Sequence, residues 1–188
     1  MTMIKTRDDT ELYVKDWGRG RPVILLHGWP LTCDTWDDFA MVAAEAGFRA
    51  ISYDRRGFGR SDQPWQGYDY DTLSDDLADV IAATEAEDAA LFGFSMGGGE
   101  VARYMSRHGG KGISKAALIA SVVPYMLQTS DNPDGVPQSV FDGMTKGMKE
   151  DRANFFAGFF KSFFGVGVFT GSVSEEVLDW SFNQTMMA

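Results

Sequence analysis

Residues Gly93-Phe94-Ser95-Met96-Gly97 form a G-x-S-x-G pentapeptide, and its surroundings constrain the chain more than the pattern does. The apolar run Ala89 to Phe94 reads as a buried strand leading straight into it, and Met96 to Arg107 leaves it with helical periodicity. A strand that becomes a helix across one residue forces Ser95 into a strained backbone conformation. The positions two before and two after must then lack side chains, so that neighbouring backbone can approach. Gly93 and Gly97 meet that need. Gly98 and Gly99 extend the small-residue patch, a cost that a helix bears only where packing is close. Such a turn lifts the Ser95 hydroxyl out at the C-terminal end of a sheet, beside a helix N-terminus, and makes Ser95 a candidate nucleophile. A developing oxyanion would sit next to the Met96 N–H.

The rest of the chain reads as the scaffold such a turn requires. Met3 to Thr6 and Glu11 to Trp17 are predicted strands joined as a hairpin by Arg7-Asp8-Asp9-Thr10. Val23 to Leu26 is a continuous apolar run, as expected for a parallel strand buried on both faces. Asp34 to Ala46 is helix-like with Asp34 as N-cap and Gly47 as a stop. Phe48 to Tyr53 is a strand, Tyr70 to Glu85 an amphipathic helix and Ile113 to Ala120 a further strand. This alternation predicts an α/β fold with a mostly parallel sheet flanked by helices. After Ser121 the texture changes: Thr129 to Pro137 is turn chemistry, and helices are predicted over 138–149, 152–164 and 174–187. The expected organisation is a core over 1–121 and a helical cap over 122–188.

A second element fits the first. Val23 to Leu26 runs into His27-Gly28-Trp29-Pro30, and a loop directly after a central strand can supply a second oxyanion donor. Trp29 is the candidate through its backbone N–H, because Pro30 has none. The indole would form one wall of a pocket. A general base is harder to find among two histidines. His108 lies 13 residues past Ser95 at the far end of the same helix, roughly 18–20 Å away, far beyond the ~3 Å a base needs. His27, before Gly28, reads as structural, its ring hydrogen-bonded beneath the loop.

Composition removes several function classes. A net charge of -10, from 17 Lys+Arg against 27 Asp+Glu, argues against holding nucleic-acid backbones or anionic membranes. No apolar run approaches the ~20 residues of a membrane span, and the charged N-terminal stretch lacks the apolar core of a signal peptide. Cys33 stands alone, so a reducing cytoplasm is the expected compartment and a buried, inert thiol the expected role. No His/Cys/Asp cluster has metal-ligand spacing. The glycines of Asp54-Arg55-Arg56-Gly57-Phe58-Gly59-Arg60-Ser61 do not complete a phosphate-loop pattern. Arg55, Arg56 and Asp62 are expected to pair with local carboxylates and backbone rather than with substrate.

HGWP at 27–30, DRRGFGRSDQPW at 54–65 and GFSMGGGEVARY at 93–104 carry a resemblance to the α/β-hydrolase family, and within it to the metal-free haloperoxidase and arylesterase branch. PQSVFDGM at 137–144 and KEDRANFF at 149–156 resemble that branch's helical lobe. The resemblance implies a Ser–His–Asp esterase acting on small, often aromatic or short-acyl esters through an acyl-enzyme. It also implies possible perhydrolysis, with hydrogen peroxide replacing water, and no haem, metal or other cofactor. Members of the branch often self-associate, which implies a homo-oligomer. By the same resemblance Phe159, Phe163, Val122, Met126 and Met144 join Trp29 as substrate-pocket residues. The family's acid and histidine follow the lobe, in the order Ser, Asp, His, so they are expected from a further segment or a second polypeptide. An end within the lobe would also leave an uncovered edge strand and exposed apolar surface. Two alternatives to the esterase are a non-catalytic binding or assembly module that keeps the pocket, and a carbon–carbon bond hydrolase or thioesterase of the same fold.

Overall fold

The computed structural model describes residues 2–166 and 173–188, so part of the expected cap, 167–172, lies outside the described residues. The strands are β1 (Thr2–Lys5), β2 (Glu11–Gly18), β3 (Arg21–Leu26), β4 (Phe48–Tyr53), β5 (Ala89–Phe94) and β6 (Ile113–Ile119). They form one six-stranded sheet in the order β1-β2-β4-β3-β5-β6. The β1–β2 hairpin joins β4 in antiparallel fashion, and β4, β3, β5 and β6 run parallel. The helices are α1 (Asp37–Glu45), α2 (Tyr70–Ala83), α3 (Met96–Arg107), α4 (Gln138–Phe163) and α5 (Glu175–Thr185). The chain divides into two compact units, 1–123 with Ala188, and Pro124–Met187.

In the first unit the period-two alternation of the strands sorts the core onto two faces. Leu12, Val14, Ile24, Leu26, Ile51, Ala89 and Leu91 pack with Leu77 and Val80 of α2 and Val101 and Tyr104 of α3. Val23, Leu25 and Ala50 face the other way and pack with Ala40 and Ala43 of α1, with Ala90 and Phe92 half-buried at the margin. Removing each large aliphatic chain from water contributes about 1.5–3 kcal/mol, so the center of the sheet, β4-β3-β5, is the best-anchored part. β6 differs: it is the edge strand, and every residue from Ser114 to Ile119 except half-buried Ala117 is exposed.

Two sequence expectations are corrected locally. Asp34 does not cap the first helix. Thr32 caps a single 3-10 turn, Cys33–Trp36, and α1 starts at Asp37 without a side-chain cap. Asp34 is drawn instead into ion pairs with Lys15 and Arg60, a stronger attraction than a neutral cap bond. α2 begins behind an Asp69 cap, whose carboxylate accepts from Thr72 N–H at 3.0 Å, and it ends at Ala83, two residues early. The break expected between helices over 138–149 and 152–164 is present: α4 is interrupted at Asp151, whose φ -155, ψ 92 is not helical. Asp151 caps the second helical half, accepting from Asn154 N–H at 2.9 Å, so the chain passes from one half to the other across a single non-helical residue. In the second unit α4 packs on α5, with Phe156 and Phe160 buried and Arg152 donating to the Thr185 carbonyl at 2.9 Å.

Candidate active site

The turn from β5 to α3 is made by Ser95 alone, at φ 52 and ψ -113. A non-glycine residue there costs on the order of 1–3 kcal/mol and persists only where its surroundings hold it. Three backbone hydrogen bonds do so. Ser95 N–H donates to Ile119 O at 3.0 Å, while Ser95 O accepts from Gly98 N–H at 3.0 Å and Val122 N–H at 3.3 Å. The glycines make room for this turn. A Cβ at Gly97 would stand 2.5 Å from Leu26 O, and one at Gly93 would stand 2.5 Å from Gly97 O. A Cβ at Gly99 would collide with the Tyr70 ring, whose hydroxyl donates to Met96 O at 3.4 Å. Met96 heads α3, so its N–H has no intrahelical acceptor and points with the helix dipole toward the Ser95 side.

The loop after β3 lies against this turn. A Cβ at Gly28 would stand 3.1 Å from Ser95 Cβ and 2.8 Å from Phe94 Cδ1, so only glycine lets the loop approach so closely. Trp29 follows, half-buried, before a cis bond to Pro30, and Leu31 N–H donates to Gly28 O at 3.0 Å. Ser95, Met96, Gly93, Gly97, the Gly28–Trp29 loop and Val122 thus all belong to one neighbourhood in the first unit. Met126, Met144, Phe159 and Phe163 belong to the second. There Met126 is exposed, Met144 half-buried, and Phe159 stacks on Phe155 and Phe163 at 6.2 and 5.9 Å between ring centroids.

Both histidines are engaged away from Ser95. His27 is buried, its Nδ1 3.1 Å from Gly28 O and its Nε2 accepting from Arg55 N–H at 3.1 Å. That pattern fixes the neutral ring with the proton on Nδ1. Burial, reinforced by the Arg55 charge, pushes its pKa down to about 3. His108 closes α3, stacks on Tyr104 and sits 2.8 Å from Asp75 Oδ1. Among the described residues no histidine hydrogen-bonds Ser95, and no group of three or more His, Cys, Asp or Glu side chains is placed to hold a metal ion.

A buried polar cluster beneath the site escaped the sequence reading. Arg55, 1% exposed, donates from Nε to Glu100 Oε2 at 2.8 Å, and its Nη2 lies 2.7 Å from the same oxygen. Nη2 also donates to the His27 carbonyl at 2.9 Å. Tyr53 donates to Glu100 Oε1, and burial together with the Glu100 charge pushes its phenol well up, keeping it a donor. The cluster joins the ends of β3 and β4 to the first turns of α3. Its one sequence signal is an acidic residue, Glu100, directly after three glycines on the packed side of a helix. Asp54 binds the next layer: its carboxylate accepts from Cys33 N–H and Arg60 N–H, each at 2.8 Å. Burial opposes its charge, but the Arg60 and Cys33 hydrogen bonds outweigh that and hold its pKa low. Cys33 is buried, and burial, followed by the Asp54 charge, pushes its thiol far up, which leaves it a poor nucleophile. A separate open groove of about 530 Å³, lined by Asp8, Arg56, Trp65, Asp69 and others, contains none of these residues.

Comparisons with known proteins agree with this geometry. The alpha/beta hydrolase fold model matches residues 21–168. A non-heme chloroperoxidase of Kitasatospora aureofaciens is 44% identical over 87% of this chain and 60% of its own length. A bifunctional esterase/perhydrolase of Acinetobacter calcoaceticus is 42% identical over 100% of this chain and 69% of its own. The crystal structure of a bromoperoxidase from Bacillus anthracis superposes with a TM-score of 0.94 at 41% identity, covering 100% of this chain and 68% of that one. The chain spans less than two thirds of the length of several such relatives. It belongs to the α/β hydrolase fold family, in the branch of the non-heme haloperoxidases and esterase/perhydrolases.

Proposed function

We propose that this chain is the nucleophile-bearing part of a serine esterase for small, aromatic or short-acyl esters. The observation that supports it most is Ser95 at a left-handed φ of 52 between a buried strand and a helix start, with the Gly28–Trp29 loop against it. In this reading Ser95 Oγ attacks the ester carbonyl while a base takes its proton. The N–H groups of Met96 and Trp29 hold the oxyanion, the alcohol leaves with a proton, and an acyl-enzyme remains. Water then releases the acid, or hydrogen peroxide releases the peracid. Pro30 removes a donor beside Trp29, which would let the Trp29 carbonyl accept from peroxide; an unchanged peroxide-to-water partition in Pro30→Leu would remove that part. The base and its carboxylate partner come from a further segment or a second polypeptide, since His27 and His108 are committed elsewhere. Val122, Met126, Met144, Phe159 and Phe163 are the proposed pocket walls. Assembly into a homo-oligomer and a cytoplasmic location complete the reading, the latter resting on the lone buried cysteine.

The competing reading is a binding module that keeps the pocket without catalysis. Intact-mass measurement of every polypeptide in the purified preparation, followed by labelling with an organophosphorus fluoride, separates the two. The esterase reading expects a label on Ser95, lost in Ser95→Ala, wherever a second polypeptide is present. An unlabelled Ser95 in that preparation rejects it. A substrate panel then separates esters from thioesters and carbon–carbon substrates.

A further inference from the structure

We propose that Met96 is a reversible oxidation site. A peroxide, either hydrogen peroxide or a peroxycarboxylic acid, converts its thioether to the sulfoxide, and Arg55 receives the new oxygen. The oxidant can come from solution, so this modification does not depend on the esterase reading.

Arg55 is 1% exposed, so any of its N–H groups without a good acceptor carries a desolvation cost. Nε and Nη2 are well served. Both reach Glu100 Oε2, at 2.8 and 2.7 Å, and Nη2 also donates to the His27 carbonyl at 2.9 Å. Nη1 is served differently: it lies 3.5 Å from His27 Nδ1 and 4.0 Å from Met96 Sδ. The first of these contacts brings two donors together. His27 Nε2 accepts from the Arg55 backbone N–H, so the neutral ring carries its proton on Nδ1 and donates it to Gly28 O. Among the described residues the Met96 thioether is therefore the acceptor left to Nη1, and a thioether is a weak one. A buried cation thus ends on a soft sulfur.

Oxidation supplies the missing acceptor. A sulfur lone pair attacks the outer peroxide oxygen and the O–O bond breaks. The proton of the transferred oxygen passes to the departing one, which leaves as water or as the carboxylic acid. Sulfur loses two electrons, the peroxide gains them, and a sulfoxide reductase restores the thioether. The three rotatable bonds of methionine let the sulfur turn out to the oxidant and back again. Its new oxygen then falls within hydrogen-bond reach of Nη1 and makes a charge-assisted bond. Sulfoxidation ordinarily weakens a fold by placing a polar group among apolar ones. Here the polar group meets a buried cation. Met96 is also open to a small oxidant, being half-buried like Ser95 beside it. A peracid formed on Ser95, as in the reading above, would be released one residue from this sulfur.

The test treats the 188-residue chain and its Ser95→Ala variant with dilute peracetic acid and maps the methionines by peptide mass. The digest is then split between the two epimer-specific sulfoxide reductases. Met41, 53% exposed, and Met105, 40% exposed, are the references. Met96 is expected to oxidise in both chains. One reductase should remove at least about nine-tenths of its oxide, because a fixed Arg55 selects one face of the sulfur, whereas the references should yield both epimers in comparable amounts. Two variants read the same contact without oxidant. The glutamine oxygen imitates the sulfoxide, so Met96→Gln should melt at least about 2 °C above Met96→Leu. Were Nη1 already satisfied, the apolar leucine would be the more stable of the two. A Met96 still reduced after Met41 and Met105 are oxidised, an even mixture of epimers at Met96, or a glutamine variant melting no higher than the leucine variant overturns the proposal. Ser95→Ala keeps the two readings apart. Met96 oxide formed there needs no catalysis, so an unlabelled Ser95 rejects the esterase and leaves the sulfoxide site standing, while a labelled Ser95 beside an inert Met96 does the reverse.

Discussion

Arg55 and Arg56 are neighbours in sequence and both are almost wholly buried, yet they serve different parts of the molecule. Arg55 points beneath the Ser95 turn, where it meets Glu100 and the His27 carbonyl. Arg56 points the other way, to Asp76 of α2 at 2.6 Å and to Asp8 of the β1–β2 turn at 2.9 Å. Both lie just past the end of β4, where the chain enters a turn at Arg56, so adjacent positions belong to unrelated clusters. The first cluster is closed: both partners are less than 2% exposed, and Arg55 also holds the His27 carbonyl of the loop that covers Ser95. The second opens to water at Asp8, which is 46% exposed, and its contacts end on the hairpin and α2. One arginine therefore positions the site and its neighbour fastens the sheet's antiparallel margin. Both were expected to pair with local carboxylates and backbone; the carboxylates they meet, Glu100 and Asp76, lie 45 and 20 residues along the chain. Asp62 does likewise, accepting from Glu11 N–H at 2.9 Å.

The comparison is broken most severely at Glu100. Glu100→Ala strands the Arg55 guanidinium in a closed site, and a loss of about 3–5 kcal/mol is expected in urea unfolding. A loss below about 1 kcal/mol would show that the first cluster is as forgiving as the second. His27 gives a smaller, pH-dependent effect. Its folded pKa of about 3 lies below the ordinary 6.5, so the unfolded chain binds a proton that the folded chain refuses across that window. Its contribution is complete above 6.5 and falls as pH drops toward 3, by about 1.4 kcal/mol per pH unit at most. Unfolding curves of His27→Gln across that range should show a flatter slope than the parent chain; parallel slopes would mean the ring is not buried neutral. Asp8→Asn should do least, under about 1 kcal/mol, because its carboxylate is half in water and Arg56 keeps Asp76. Arg56 holds Asp8 well below the usual carboxylate range, so that contribution is present above about pH 4 and lost in stronger acid. Melting temperatures at pH 7 and pH 3 check both statements.

What the sequence revealed follows from the range of the forces involved. β5 and α3 were legible to the residue, because an apolar run, a glycine pair and a helical stripe are all local signals. The cover of Gly28 over Ser95 was legible as a loop after a central strand. The role of Asp34 was not. Its capping chemistry is local, but the cations that claim it, Lys15 and Arg60, lie 19 and 26 residues away. Glu100 and Arg55 are 45 residues apart, and an isolated glutamate on a helix ordinarily reads as solvated. Their burial emerges only when the strand ends are brought together. The break at Asp151 was legible too, because the helical patterns on either side of it are local signals, and the backbone leaves helical geometry between them.

The left-handed backbone at Ser95 carries an evolutionary consequence. Glycine would occupy that conformation without penalty, so the residue that would best relax the turn is one with no hydroxyl at all. Thermal selection and chemical selection thus pull in opposite directions at this position. A lineage released from the need for the hydroxyl would drift away from serine here early, even while every residue that cradles the turn stayed in place. The identity of residue 95 is accordingly a more sensitive record of use than the glycines around it, which the geometry alone would preserve.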